Sequence, residues 1–391
     1  MPRGEARSES STVPRGVDVA RLAGVSQKTV SRVFNGEQYV SAEVRRRVHE
    51  AAEALGYRMN NAARALASGR TRTIGVVTLG TALYGPASLL IGVERAARDA
   101  GYALRVVNTL EGDPGGVAGA VESLLEQGVD GIVVSEPIDE GTGGVGGAEG
   151  AGGVGGALSL STDVPVLVLG APAAFGGPRA VSAGVGAEAL ARAATEHLLD
   201  LGHVTVHHLA GPQRWFAARD RLEGWRAALA ARGRGRPPVI EGDWSAASGY
   251  TAGRELASAG DVTAVFAAND DMAIGLIRAL ADAGLRVPED VSVVGFDDIP
   301  VSAYVTPPLT TVRQPFDSVA HEGLRLLVQA IEKPDADPAP ASDPPVELVV
   351  RGSTAPPPVR KAPARGRRQT PSRARGPAHA PPAEGKPPAS D

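Results

Sequence analysis

Two groups of residues in this 391-residue chain have the chemistry to recognise a ligand. The first runs Ser26-Gln27-Lys28-Thr29, with Ser31 and Arg32 after one valine. Gln27 and Lys28 carry donors for base edges, and Arg32, one helical turn on, reaches a guanine or a phosphate. Thr29 and Ser31 suit backbone oxygens better. The second group is spread more widely. Asn269/Asp270 and Asp297/Asp298 each follow a buried, strand-like run, and ligands of open α/β sheets gather beyond the carboxyl ends of the strands. Such side chains accept from and donate to the hydroxyls of a sugar; Arg221 adds a planar fork and Trp244 a flat apolar surface for a pyranose ring. Each also has a plainer use: Trp244 as core, Asp298 as a helix cap, and Asp270 as the cap of a helix starting at Asp271.

Catalysis is not expected. There is no cysteine, GxSxG or HExxH, and the paired aspartates are adjacent in sequence, so their side chains diverge. The seven histidines are scattered; His207 and His208 sit in an apolar run that reads as buried or edge strand rather than as a metal site. No metal and no cofactor are expected.

The elements that hold the first group are short helices. Val19, Leu22 and Ala23 fall at helical spacing, Gly24 supplies a turn, and Val30 and Val33 continue a second helix that Ser26 can cap. This is a helix-turn-helix, whose second helix enters the major groove. A third helix, capped by Ser41 and ended by Gly56, carries Val44, Val48, Ala51, Ala52 and Leu55 on one face. The run Arg45-Arg46-Arg47 is either a solvated face or a phosphate contact.

Charge divides the chain into the same parts. Residues 1–72 carry 13 Lys/Arg against 7 Asp/Glu, residues 73–354 carry 19 against 35, and the remainder 8 against 2. A basic module on an acidic body points to a polyanionic partner for the N-terminal part alone. In the body, strand-length runs (74–79, 103–107, 131–134, 164–169, 204–209, 263–267 and 291–294) alternate with amphipathic segments (88–100, 187–201, 218–231, 248–259 and 272–283). This βαβ rhythm is too long for one sheet and predicts two, with a cleft between them. Residues 141–156, nearly all Gly, Ala and Val, read as a flexible insertion, and residues 355–391, rich in Pro, Ala and Arg, as a disordered tail. Residues 1–16 form a polar arm without an apolar signal core, and no stretch is long and apolar enough to span a membrane, so a cytoplasmic protein is expected.

At residue level the chain resembles the LacI/GalR family of transcriptional regulators. DVARLAGVSQKTVSRVFNG, VSAEVRRRV and ALGYRMNNAARALASGRT match the family's headpiece and hinge; LAGPQRWFAARDRLEGW, EGDWSAASGY, FAANDDMAIG, DVSVVGFDDIP and PPLTTVRQPF match its effector-binding body. The resemblance implies an all-α helix-turn-helix headpiece (17–58), a hinge and linker (59–72), and a periplasmic-binding-protein-like α/β core of two doubly wound subdomains (73–354). It implies DNA contacts from Ser26, Gln27, Lys28, Thr29, Ser31, Arg32, Asn35, Asn60 and Ala63, with Leu66 wedged into a minor-groove step by a hinge helix that forms on operator DNA. It assigns Asp139, Arg221, Asn269, Asp297 and Gln314 to effector hydroxyls and Trp244 and Phe316 to an apolar wall. The expected partners are double-stranded operator DNA, a sugar effector and a second copy of the chain, since one headpiece covers one half-site. A galactoside or related glycoside fits the pocket motifs, although Leu79 and Gly80 put no polar pair at the cleft mouth. Sugar and operator would favour different arrangements of the two subdomains, sugar normally inducing release; a corepressor is the other sign of the same linkage.

Overall fold

The computed structural model describes residues 14–34, 36–37, 39–58, 65, 69–79, 82–109, 116–135, 138–139, 158–159, 162–170, 175–176, 179–184, 186–336 and 347–359. The hinge residues Asn60, Ala63 and Leu66, the insertion at 141–156 and the tail from 360 lie outside them.

Three helices form the headpiece: α1 (Gly16–Ala23), α2 (Gln27–Phe34) and α3 (Ala42–Ala54). The helix starts at Gly16 because the Asp18 carboxylate accepts the Arg15 N–H at 3.0 Å. Gly24 takes φ +65°, open to glycine at little cost, and turns the chain into α2. Val19, Ala20, Ala23, Val30, Val33, Val48, Ala51 and Ala52 make the core. Leu22, expected on that core face, is 57% exposed. The small Ala20 takes the inward position in this tightly packed three-helix unit.

The body holds two sheets. In the first, β1 (Thr73–Leu79), β2 (Ala103–Thr109), β3 (Gly131–Ser135), β5 (Val166–Leu169) and β7 (Ala180–Ala183) run parallel in the order β2-β1-β3-β5-β7. A separate two-stranded pair joins β4 (Leu158–Ser159) to β6 (Phe175–Gly176). In the second sheet, β8 (His207–Ala210), β9 (Ile240–Glu241), β10 (Ala264–Ala267), β11 (Ser292–Asp297), β12 (Thr310–Arg313) and β13 (Glu347–Val349) follow the order β13-β12-β11-β10-β8-β9, with only β13 antiparallel.

Successive strand residues point to opposite faces, and both faces are covered, which is why these strands read as continuous apolar runs. Val76 and Val133 face α4 (Tyr84–Asp99) and α10 (Phe316–Glu332), whereas Val77, Ile132 and Val134 face α5 (Gly116–Glu126). In the second sheet Phe266 and Val294 face α6 (Ala187–Asp200) and α7 (Phe216–Ala231), and Val265 and Val293 face α8 (Ala246–Ala259) and α9 (Asp270–Asp282). The chain crosses between sheets after β7, after β12 and before β13, so α10 packs on the first sheet although it follows a strand of the second.

The body was expected to end at 354. Ala355 continues it: its N–H donates to Ser292 Oγ at 3.0 Å, and its carbonyl accepts from Ser292 Oγ at 2.9 Å. Among the described residues no helix is long and apolar enough to cross a membrane.

Candidate effector site and nucleic-acid interface

The carboxyl ends of β10 and β11 deliver Asn269 and Asp297 to one place, and α7 brings Arg221 there from its second turn. Asn269 is the N-cap of α9: its Oδ1 accepts the Met272 N–H at 2.9 Å, while its Nδ2 donates to the Trp244 carbonyl, also at 2.9 Å. One side chain thus starts a helix and fixes the backbone of the aromatic wall. Trp244 sits at φ +72° and Asp297 at φ +113°, left-handed conformations held by the surrounding packing. Gly211 lies so close beneath the indole that a Cβ there would stand 2.2 Å from it.

Arg221 is buried. Its Nη1 donates to the Ala268 carbonyl at 2.5 Å, its Nη2 lies 3.7 Å from Asp297 Oδ1, and its guanidinium carbon stands 4.1 Å from the Phe296 ring centre and 5.3 Å from that of Trp244. Gln314 Nε2 donates to the same Asp297 oxygen at 2.6 Å. Burial pushes the Asp297 carboxyl up to about 6, although Arg221 and Gln314 oppose the rise. Two donors remain without a protein partner: Arg221 Nε and Trp244 Nε1, both buried.

These residues border two adjoining cavities that share Ala217 and Arg221. Leu83, Tyr84, Gly85 and Pro86 at the start of α4 face Trp215, Trp244, Asn269 and Asp297 across one; Leu89, Gln314, Phe316 and Val319 border the other. Tyr84 and Phe316 meet edge to face at 5.9 Å. Polar groups therefore come chiefly from the second subdomain and apolar ones from the first. Each cavity has room of about 20 Å3, one water molecule's worth.

Six of the seven expected effector residues converge there: Arg221, Trp244, Asn269, Asp297, Gln314 and Phe316. Asp139 does not. Its Oδ2 accepts from Arg219 Nη2 at 2.8 Å. Asp270 was expected to cap a helix starting at Asp271, but α9 starts at Asp270 and Asn269 caps it. The Asp270 carboxyl instead meets Thr311 Oγ1 at 2.5 Å and accepts the Ile299 N–H at 2.9 Å. Burial, then the nearby charge of Asp297, push it up to about 8. Asp298 turns away to Arg313 and Arg351, whose hydrogen bonds together outweigh its burial and hold it below the usual range.

In the headpiece, Ser26 Oγ accepts the Thr29 N–H at 3.1 Å and lies 2.8 Å from Thr29 Oγ1, which caps α2. Val30 and Val33 are buried, and Gln27, Lys28, Ser31 and Arg32 are exposed. Arg32 rests against Glu37 at 3.4 Å. The arginine run resolves into three uses. Arg45 donates to the Val33 carbonyl at the end of α2 and to the Glu37 carbonyl beyond it, Arg47 to the Ala23 and Gly24 carbonyls at the end of α1, and Arg46 pairs with Glu43 and Glu50 on the exposed face. Asn35 lies outside the described residues.

Residues 17–60 match the model of bacterial regulatory proteins of the lacI family, and residues 195–354 that of the periplasmic binding protein-like domain. The lactose operon repressor of Escherichia coli (strain K12) is 35% identical over 314 residues, 80% of this chain and 83% of that protein. The chain belongs to the lacI family. The regulator CelR of Thermobifida fusca is 35% identical over 341 residues, covering 82% of this chain and 92% of CelR. The lac repressor dimer bound to operator and the anti-inducer ONPF superposes with a TM-score of 0.71 at 32% identity, covering 88% of this chain and all of that one.

This lacI-family protein is a DNA-binding transcriptional repressor with an effector-binding domain, not an enzyme. Asp270 and Asp297 are both raised but do not form an acid/base pair: Asp270 borders neither cavity and spends both oxygens on Thr311 and Ile299. Among the described residues no group of His, Asp and Glu could hold a metal. His208 is buried between Phe266 and Trp225, its Nδ1 donating to the Phe266 carbonyl, and burial lowers it to about 4. The wall from Leu83 to Pro86 escaped the sequence because it has no polar side chain beyond Tyr84; Trp215, in the GPQRWF turn, was the legible clue to that edge.

Proposed function

We propose that this repressor is a homodimer that releases its operator when a sugar enters the cleft between the subdomains. The observation that carries the reading is the pair of buried, unpartnered donors, Arg221 Nε and Trp244 Nε1, beside Asp297 and Asn269 and under an apolar wall. Unmet donors in a buried site are costly, and vicinal hydroxyls satisfy them while a pyranose face covers the indole. One guanidinium and one carboxylate balance, which suits an uncharged polyol. The names of the relatives point to sugars for several of them: lactose and ribose operon repressors, and a CelR–cellobiose complex. A galactoside or related glycoside is the first to test.

The cavities are too small for a sugar ring, so binding must separate their walls, and what alters the subdomain arrangement alters the spacing of two linked headpieces. Coupling of this kind is commonly about 1–3 kcal/mol, or roughly 5- to 150-fold in affinity. Ser26, Gln27, Lys28, Thr29, Ser31 and Arg32, with Asn35, Asn60, Ala63 and Leu66, are the DNA-contacting set in this reading. Exposed Ile91 on α4 and Val106 on the edge strand β2 support a second copy along the first subdomain.

The test is fluorescence anisotropy of an operator selected from random DNA, titrated with lactose, isopropyl thiogalactoside, cellobiose and ribose. One of them should lower operator affinity by at least fivefold. If none changes affinity, the sensor half of the reading falls; light scattering that reports a tetramer overturns the dimer.

A further inference from the structure

Three chain crossings join the two subdomains covalently. The crossings leave from β7, an edge strand, and from β12, and return through β13 at the edge of the second sheet. Lobes joined only by such crossings can part elsewhere unless something fastens them. Away from those crossings, the segment just beyond β3, the middle strand of the first sheet, meets the turn just beyond β8. Ile138 and Trp215 form an isolated antiparallel bridge, and the Asp139 N–H donates to the Arg214 carbonyl at 2.7 Å. Asp139 Oδ2 accepts from Arg219 Nη2 at 2.8 Å. Arg219 is itself oriented from its own side: its Nε donates to the Gln213 carbonyl at 2.5 Å, and its guanidinium stands 5.3 Å from the Phe216 ring centre.

Trp215 belongs to this fastened turn. It meets Trp244 edge to face at 5.8 Å, and both indoles border the cavity that Arg221, Asn269 and Asp297 line.

We propose that Asp139 and Arg219 form a clasp across the mouth of the effector cleft. Closed, it seats Trp215 against Trp244 and keeps the cavity too small for a sugar; open, it frees the Trp215 wall of that cavity. Both side chains are 37% exposed, so solvent and salt weaken the pair, as suits a contact that must part on each binding event. Asp139 is in this view a positioning residue, setting how readily the cleft opens and not what it selects. The proposal rests on reading the cleft as the effector site. Its test uses ligand-free protein, so a failed sugar panel and a failed clasp are separate results.

Full-length wild type, D139N, R219Q and the charge-exchanged D139R/R219D are compared by acrylamide quenching of tryptophan emission and by hydrogen exchange of peptides spanning 212–219. Trp225, 1% exposed and bonded through its indole N–H to the Val206 carbonyl, gives a constant background. Each single variant should raise the quenching constant about twofold and exchange in 212–219 about tenfold, with exchange in α9 unchanged. About 0.5 M NaCl should move the wild type toward the single variants. The charge exchange should restore at least half of the protection. Single variants that match the wild type, or a charge-exchanged protein as open as they are, would overturn the clasp.

Discussion

Asp270→Asn should stabilise the repressor at neutral pH, by an amount that grows with pH. The Asp270 carboxyl is fully buried, and burial and Asp297 raise it from the ordinary 3.8 to about 8. A group raised in the folded state holds its proton there while the unfolded chain releases it. Its contribution is therefore intact below pH 3.8 and is lost progressively as pH rises through 8. At about 1.4 kcal/mol per pH unit, the loss at pH 7 reaches roughly 4 kcal/mol. Asparagine has nothing to ionise. Its Oδ1 can accept the Ile299 N–H and its Nδ2 can donate to Thr311 Oγ1, replacing the two contacts the acid makes. Asp297, at about 6, titrates in both proteins and cancels in the difference. Urea unfolding followed by circular dichroism from pH 5 to pH 9 should show the advantage of D270N widening by about 4 kcal/mol between pH 5 and pH 8, then levelling. A gap that does not change with pH, or a D270N protein that is less stable at pH 8, refutes the assignment of a neutral buried acid.

Arg221→Ala should abolish the sugar response and leave operator affinity within about twofold, since the fork lies in the cleft and not in the headpiece; loss of operator binding would make Arg221 structural. Without Arg221 the Asp297 carboxyl rises further above about 6, so any residual sugar binding should favour alkaline buffer. Gly211→Ala places a Cβ 2.2 Å from the Trp244 ring, and should cost about 1–3 kcal/mol in urea unfolding and red-shift tryptophan emission; an unshifted spectrum would mean that Trp244 has room to move. Lys28→Ala should relax base preference at one operator position, a loss of about 1–3 kcal/mol against the preferred sequence in competition binding, while uniform weakening over all sequences would mark Lys28 as a phosphate contact.

The two-sheet body was legible because both faces of each sheet are covered, so that its strands stand out as unbroken apolar runs between amphipathic helices. Shorter or weaker elements escaped. The segment that becomes α5, GVAGAVESLLE, opens with small residues, and β9 and β13 have two and three residues and are defined by neighbours far along the chain. In α1 the phase was misread at Leu22, since eight residues with five apolar side chains fit two faces equally and only packing against α3 selects Ala20. The hydrophobic pattern decides which face is buried, but not which of two adjacent apolar residues the core will admit.

The cleft was legible where a side chain's task follows from its place at a strand end, as with Asn269 and Asp297. It was illegible where the task is set by a partner that the chain brings from elsewhere. Asp270 and Asp297 have the same side chain and both lie at or just beyond the end of a buried strand, yet one turns to Thr311, 41 residues away, and stays neutral, while the other turns to Arg221 and Gln314 and borders the cavity. Asp139 makes the point more sharply. A carboxylate that resemblance assigns to a hydroxyl finds Arg219, 80 residues on, and a guanidinium offers a carboxylate a stronger, charge-assisted bond than a sugar hydroxyl can. For a sugar to recruit Asp139 it would have to displace that guanidinium and give up the stronger bond for the weaker one, which is why the carboxylate stands with Arg219 and not in the cavity.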